Sequence, residues 1–287
     1  MSILHRETIT TPLSLRNDGE LEIIFLGVGT AFSTEAGHTN FFIVKGDHHI
    51  LVDFGTTGPA QLQKVAGLSP LDIDTILPTH AHADHVGGIE SLAIFNRYRG
   101  VLPGTRPRLR MIIHPAFRRN LWNMTLRGGL GFNEPGMCGE EELFEVYFDV
   151  VEPIPVGAPD RRECWEVECD GISIRLIRTN HTLGGRGKDG SEFYTHALLI
   201  DDTIFFSGDT TFDPDLLHVH ATGSSLIIHD AGLVDTPLHP TIDQLRTLPE
   251  EIRSRILLIH YPEGAHDVDV SDFLGLARTG TRVRIQN

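Results

Sequence analysis

Four potential metal ligands fall within six residues in His80-Ala81-His82-Ala83-Asp84-His85. Imidazole suits zinc, iron and copper, and a set mixing imidazole with carboxylate suits zinc or a related divalent ion rather than calcium or magnesium. On a loop, His80 and His82 can point to one ion while Asp84 and His85 turn to another. Two nearby ions need further donors, and the sequence offers them at strand ends: His181 in IRTNHTLGG, Asp209 in FFSGDT and His260 in LLIHYPEG. The dense cluster has few purely structural uses, whereas a lone strand-end His or Asp is commonly a turn or cap residue. Two ions about 3.5–4 Å apart lower the pKa of a bridging water to near 7 and clamp the attacking and leaving oxygens of an in-line displacement. Phosphodiester hydrolysis uses both functions. Cleaving a thioester or amide needs the same hydroxide, so the ligand set alone leaves that choice open.

The elements that must position these residues read as alternating strands and helices. LEIIFLGVG, NFFIV and HHILVDFG are short apolar runs ending in turns, the pattern of consecutive strands. PAQLQKVAG opens on Pro and closes on Gly, as a helix does, and the strand DTILPT leads directly into HAHADHVGG. IESLAIFNRYR has helical spacing, RLRMIIHP reads as a strand and AFRRNLWNMTL as a helix. From about Gly100 to Pro159 the pattern weakens into the glycine-rich RGGLGFNEPGMCGEE and the acidic amphipathic EEELFEVYFDVV. This interval, at about 100–159, is expected to be an insertion or lid on a single domain spanning 1–287. Beyond it, ISIRLIRTNH, THALLIDD, TIFFSGD, SSLIIHDAG and RILLIHYP read as strands, and DPDLLHVHA and TIDQLRTLPEEI as helices. VSDFLGLARTG is expected to be a closing helix before the strand TRVRI. The halves share a rhythm without a repeat of fixed period.

Composition narrows the classes. The 287 residues are 40% hydrophobic and 22% charged, an ordinary globular balance that supports a core. A formal charge of -15 argues against holding nucleic acid on a broad basic surface. Sixteen histidines exceed what a core needs. Cys138, Cys164 and Cys169 form no Cys-x-x-Cys pair, so neither a disulfide framework nor a thiolate cage is supported, and a reducing cytoplasm is expected. The N-terminus has no basic region leading into a long apolar core, and no stretch approaches the roughly 18 apolar residues of a membrane span.

THAHADHVGG resembles the HxHxDH motif of the metallo-β-lactamase fold superfamily. Asp53 in ILVDFG resembles the acidic residue of the first motif, His181 the third-motif histidine, Asp209 the bridging carboxylate and His260 the last histidine. The resemblance runs from about Leu21 to Tyr261. It implies an α/β fold of four layers, an αββα sandwich with the metals at one edge of the two sheets. One ion would be held by His80, His82 and His181 and the other by Asp84, His85 and His260, with Asp209 between them. Asp53 would support the ligand loop without binding metal. Two divalent ions are the expected cofactors, zinc first, with manganese or iron as alternatives.

SSLIIHDAGLVDTPLHPTIDQL resembles the ribonuclease Z-like phosphodiesterase branch, in which a strand ends in His-Glu-Ala and a later His-x-Thr precedes a helix. His229-Asp230-Ala231 and His239-Pro240-Thr241 take those places. On that match His229 is a candidate catalytic proton donor or phosphate contact; a strand-end histidine bonding a neighbouring carbonyl is the plainer alternative. Asp84 is a second catalytic candidate, orienting the hydroxide as well as binding metal. Asp230, Gly232 and His260-Tyr261-Pro262 depart from the branch's pattern.

Ribonuclease Z relatives that process transfer RNA use a basic, glycine-rich arm between the second and third motifs. Here the distal part of that interval is acidic, with Glu140, Glu141, Glu142, Glu145, Asp149 and Glu152. Arg106, Arg108, Arg110, Arg118, Arg119 and Arg127 precede it and offer either a phosphate-facing patch or a solvated helix face. Two divalent cations would offset only four of the fifteen excess negative charges, and long RNA binds through many phosphates. A small anionic ester is therefore the expected partner, long nucleic acid is disfavoured, no membrane is expected and a homodimer is left open. Gly184-Gly185-Arg186-Gly187 could present amides to an anion or form a plain loop, and Trp122, Met124 and Phe132 could line a pocket or pack a core. His114, His196, His218, His220 and His266 lack partner spacing and read as structural or surface residues. The expected function is a dinuclear metal-dependent phosphodiesterase. The alternatives are a thioester or lactam hydrolase, an iron-dependent redox protein, a transfer-RNA 3′ processing nuclease, and a binding protein without turnover.

Overall fold

The runs LEIIFLG and NFFIVK are apolar at nearly every position and buried almost throughout, which marks strands covered on both faces. The computed structural model describes residues 3–134, 143–182 and 192–286. Cys138, Glu140, Glu141, Glu142 and the run Gly184 to Gly187 lie outside the described residues.

The first half supplies β1 (Ile3–Thr8), β2 (Leu21–Gly27), β3 (Asn40–Lys45), β4 (His48–Val52), β5 (Thr75–Leu77), β6 (Leu109–Ile112) and β7 (Phe148–Val151). The second supplies β8 (Ile154–Val156), β9 (Cys164–Cys169), β10 (Ile172–Arg178), β11 (His196–Ile200) and β12 (Ile204–Phe206). It continues through β13 (Leu226–Asp230), β14 (Ile256–Ile259), β15 (Gly275–Leu276) and β16 (Thr281–Gln286). They form two eight-stranded sheets, ordered β1-β16-β2-β3-β4-β5-β6-β7 and β15-β14-β13-β12-β11-β10-β9-β8. Each sheet is antiparallel at one side and parallel at the other. The change comes between β4 and β5 in the first sheet and between β12 and β13 in the second. The two halves thus share a topology as well as a rhythm.

Alternation along the strands builds three apolar layers. Ile23, Phe25, Phe41 and Ile43 meet Leu198, Phe206, Leu226 and Ile228 between the sheets, with Phe41 edge-on to Phe206 at 4.9 Å. On the outer face of the first sheet, Ile24, Leu26 and Phe42 pack under the helices Gly58–Ala66, Ile89–Asn96 and Pro115–Leu121. On the outer face of the second, Phe205, Ile227 and Leu258 pack under Pro214–His220, Ile242–Arg246 and Glu250–Arg253. The result is the expected four-layer αββα sandwich.

Two expectations are corrected. The interval 100–159 is not simply laid over the sandwich. Its apolar runs LRMI and FDVV form β6 and β7 at the end of the first sheet, and IPV forms β8 at the end of the second. The stretch VSDFLGLARTG is not a helix. Val270 and Phe273 pack with the outer core of the second sheet while Leu274 and Ala277 pack with the central core. Serving two layers in turn requires an extended chain, and Gly275–Leu276 pairs with β14. Trp122 is buried in the outer core, and Met124 and Phe132 are exposed. Among the described residues Cys164 and Cys169 are free and buried, and no helix is long and apolar enough to cross a membrane.

Candidate metal centre

β5 ends at Leu77, and Pro78-Thr79 carry the chain into the ligand loop, whose last residues form the single turn Ala83–Val86. His181 follows β10, Asp209 follows β12 and His260 directly follows β14, so donors from both sheets converge at one edge of the sandwich. Asp53, directly after β4, and His260 both take left-handed backbone, with φ of 59° and 52°. Non-glycine residues hold that conformation only where their surroundings impose it. Gly55 lies so close to the ligand loop that a Cβ would strike the carbonyl of Asp84.

The seven expected donors come together as two groups that share Asp209: His80, His82, His181 and Asp209, and Asp84, His85, His260 and Asp209. In the first, His82 Nδ1 lies 3.1 Å from His80 Nε2 and 3.1 Å from His181 Nε2. Asp209 Oδ2 lies 3.7 Å from His80 Nε2 and 3.6 Å from His181 Nε2. In the second, His85 Nε2 and His260 Nε2 are each 3.3 Å from Asp209 Oδ2, and 3.4 and 3.8 Å from Asp84 Oδ2. Four donors set tetrahedrally about 2.0–2.2 Å from an ion lie about 3.3–3.6 Å from one another, so both groups have the dimensions of a coordination shell.

Proton counting points the same way. His82 Nδ1 carries at most one proton and faces two imidazole nitrogens, so hydrogen bonding satisfies one contact and a cation satisfies both. His85 Nε2 and Asp209 Oδ1 are buried without a hydrogen-bond partner, a costly state that metal ligation removes.

The opposite ring nitrogens are fixed. Asp53 Oδ2 accepts from His85 Nδ1 at 2.7 Å, leaving Nε2 for the centre. Asp53 also accepts from the Thr79 amide at 2.7 Å and from Thr79 Oγ1, at 2.8 Å to Oδ2. With its proton given to Asp53, Thr79 Oγ1 accepts from His80 Nδ1 at 3.1 Å, so one carboxylate sets the tautomer of two ligands. His181 Nδ1 donates to the Leu238 carbonyl at 3.1 Å, and His260 Nδ1 lies 3.1 Å from Thr39 Oγ1.

Electrostatically the cluster calls for positive charge. Burial opposes charge on His85, yet Asp209 and Asp53 outweigh it and hold its pKa well above the ordinary value. Burial likewise opposes charge on Asp209, and His260 and His85 overcome it, holding the carboxyl well below its usual range. Burial and the neighbouring His85 push His80 well down.

His229 does not face this centre. Strand alternation puts it on the side of Ile227, toward the outer helices, while Ile228 turns to the central core. Its ring is buried, with Nδ1 2.9 Å from the Asp230 carbonyl and 3.1 Å from Asp230 Oδ1. The expectation that His229 meets substrate finds no support in this placement, which joins it to Asp230 and not to the donor groups. His239 lies beside the donor groups. It is partly exposed, its ring lies 4.8 Å from His181 and 5.2 Å from His260, and its Nδ1 donates to Asp230 Oδ2 at 2.9 Å. Asp230, His239 and Asp209 form a third donor group. Burial lowers the pKa of His239, but the bond to Asp230 and the carboxylates of Asp209 and Asp84 outweigh it, so the net shift is upward. Phe193, which sequence reasoning passed over, packs 4.8 Å from His82 and 5.9 Å from His80 as an aromatic wall. It directly follows β-bridge residue Glu192, and no spacing in the sequence marks it.

The family model described as anti-Pycsar protein Apyc1 matches residues 21–283. The chain belongs to that family. An anti-Pycsar protein Apyc1 from Paenibacillus sp. (strain J14) is 34% identical over 260 residues, covering 89% of this chain and 93% of the relative. One from Paenibacillus xerothermodurans is 31% identical over 258 residues, covering 89% and 91%. Among solved structures, the metallo-β-lactamase fold protein YhfI from Bacillus subtilis matches with a TM-score of 0.65 and 17% identity over 92% of this chain and 99% of its own. Human tRNase Z, short form (ELAC1), matches with a TM-score of 0.61 and 18% identity over 93% and 100%. At such identity these two carry the fold alone. The metallo-β-lactamase fold and membership of the anti-Pycsar protein Apyc1 family make this chain a hydrolase.

Proposed function

We propose that the chain is a dinuclear metal-dependent phosphodiesterase that opens a small phosphodiester, with a cyclic nucleotide as the substrate class. The observation that carries the reading is the pair of four-donor groups sharing Asp209. Membership of the anti-Pycsar protein Apyc1 family supports the cyclic nucleotide. Zinc fits the imidazole-rich donors best. His80, His82, His181, Asp209, Asp84, His85 and His260 would hold two such ions, which would activate water at neutral pH and neutralise charge on the phosphoryl oxygens.

The remaining work falls to the chain's own residues. Asp53 and Thr79 hold His85 and His80 in the tautomer that turns Nε2 inward. Asp230 accepts from His239 Nδ1 and favours the imidazolium form, in which His239 Nε2 carries the proton that goes to the departing ester oxygen. In the balanced reaction the oxygen of water bonds to phosphorus and one phosphorus–oxygen ester bond breaks. The leaving oxygen ends as a hydroxyl and the product is the open monophosphate. Phe193 packs 4.8 Å from the ring of His82 and limits how that ring can turn. The basic run is already engaged in part: Arg106 bonds Asp74 and the carbonyls of Leu71 and Ile73, Arg110 bonds Asp170 and Arg118 bonds Glu145. That favours a small substrate over transfer RNA.

The test is a panel on zinc-loaded protein: cyclic nucleotides, an aryl phosphodiester, precursor transfer RNA, a glutathione thioester and a lactam, with metal analysis alongside. Opening of a cyclic nucleotide by protein carrying two ions per chain is the expected result. Thioester or lactam cleavage without phosphodiester cleavage overturns the reading, as does stoichiometric redox-active iron with oxygen consumption.

A further inference from the structure

Each donor group draws on both sheets, so the centre exists only if the ligand loop of the first sheet is held at a fixed distance from the second. His196 spans that gap. Its backbone belongs to β11, and its carbonyl packs so tightly on Gly208 that a Cβ there would collide with it; Gly208 has a φ of 57° and directly precedes Asp209. The residue before it, Thr195, accepts from the amide of Thr179, two residues before His181. The side chain of His196 crosses to the first sheet, where Nδ1 meets the carbonyl of Thr79 at 2.8 Å, one residue before His80.

The protons on this bridge follow from its partners. A carbonyl only accepts, so His196 Nδ1 carries hydrogen and, in the neutral ring, Nε2 is bare. That bare nitrogen lies 3.1 Å from His114 Nε2, which therefore donates. His114 Nδ1 is then bare in turn and accepts the amide hydrogen of Phe117 at 3.4 Å, capping the helix Pro115–Leu121. Reversing the chain would put hydrogen on His114 Nδ1 against the Phe117 amide, so the relay runs one way, from helix to ligand loop. Trp165 stacks on His114 at 4.2 Å and 3°, and Tyr194 meets it edge-on at 4.8 Å. Burial above all pushes His196 down to about 3 and His114 to about 4, which keeps both rings neutral. Spacing alone pairs neither histidine, because the relay joins segments 82 residues apart.

We propose that His196, held in its tautomer by His114, is a positioning residue that fixes the ligand loop His80–His85 against the Asp209 turn at ligating distance. The proposal rests on the metal-centre reading above. The test uses the full chain, stripped of metal and then titrated with zinc against a competing chelator, with amide hydrogen exchange of residues 79–85 as a second readout. His196→Phe fills the space without a donor and is expected to weaken zinc loading about 10-fold or more while speeding loop exchange. His196→Asn keeps an N–H for the Thr79 carbonyl and is expected to restore both toward wild type. If His196→Phe does not fold, His114→Leu and His114→Gln repeat the contrast one bond farther from the loop. Wild-type loading and loop exchange in the donor-less variant would overturn the proposal, as would equal losses in the Phe and Asn variants. A wild-type chain that takes up no zinc would instead sink the metal-centre reading, and the loop-exchange contrast would still decide whether the clamp exists.

Discussion

The first sheet delivers four donors on one continuous loop, His80 to His85, whereas the second delivers three on separate connections, His181 after β10, Asp209 after β12 and His260 after β14. The loop's geometry is largely local: it leaves β5, bends through Thr79 and closes on a single helical turn. The second-sheet donors meet only when β10 through β14 pair in register, and a one-residue slip would turn each the other way. The centre is therefore a joint between a preformed loop and a set of donors that exists only in the folded sheet. Its weakest point is the donor both groups share. Asp209→Ala is expected to drop activity to background and metal content below two ions per chain. A variant that still carries two ions at wild-type affinity would break the view that Asp209 joins the groups.

The adjacent pair His229 and His239 sharpens the contrast between facing the joint and facing the helix layer. His239→Ala is expected to keep both ions and lose turnover by about 10²- to 10⁴-fold, the range for a lost general acid. His229→Ala removes a buried partner of Asp230, so stability is expected to fall while the metal-loaded protein retains far more turnover. Equal kinetic losses, measured as kcat at saturating substrate, would return the proton-donor role to His229.

Ligand support differs between the sheets as well. In the first, the Asp53 carboxylate governs His85 directly and His80 through Thr79. In the second, His181 and His260 each have a separate neutral partner, Leu238 and Thr39. Asp53→Asn is therefore expected to weaken zinc binding by about 10- to 100-fold, and Thr39→Ala by less. Competition with a chelating dye reads both, and a larger loss in Thr39→Ala would mean that the second sheet's donor His260 depends more on its partner than His85 and His80 do on Asp53.

The same contrast explains what was legible in the sequence. A dense cluster announces itself, so the ligand loop, the strand before it and the single donors at strand ends could be read directly. Facing was harder. In Leu226–Asp230, alternation already places His229 with Ile227 and Asp230 with Ile228, a signal that the family motif overshadowed. Alternation also has exceptions: His260 would follow Leu258 to the helix side, and its left-handed backbone is what turns the chain there. The edge strands β1 and β8 and the neighbouring β9 were missed because exposed residues such as His5, Glu7 and Glu168 and the half-buried Glu166 break the apolar runs by which the central strands are recognised. His114 and His196 meet only through tertiary structure, and Phe193 carries no motif at all.

The arginine run provides the smallest expected effect and the sharpest choice of substrate size. Arg106, Arg110 and Arg118 are half-buried and spend their hydrogen bonds within the protein, while Arg108, Arg119 and Arg127 are exposed. For a small phosphodiester held at the metal edge, replacing those three exposed residues by alanine leaves kcat/KM nearly unchanged, since long-range steering by exposed charges is largely screened at physiological salt. For a long RNA the same triple change would remove as many as three phosphate contacts, and the slope of log affinity against log salt would fall by about 1 for each. The measurement is therefore a pair of salt series on wild type and triple variant, one with a cyclic nucleotide and one with precursor transfer RNA. Parallel, nearly flat series for the cyclic nucleotide keep the substrate small. Tight transfer-RNA binding whose salt slope drops by about 3 in the variant would move recognition away from the joint and onto the face of the first sheet.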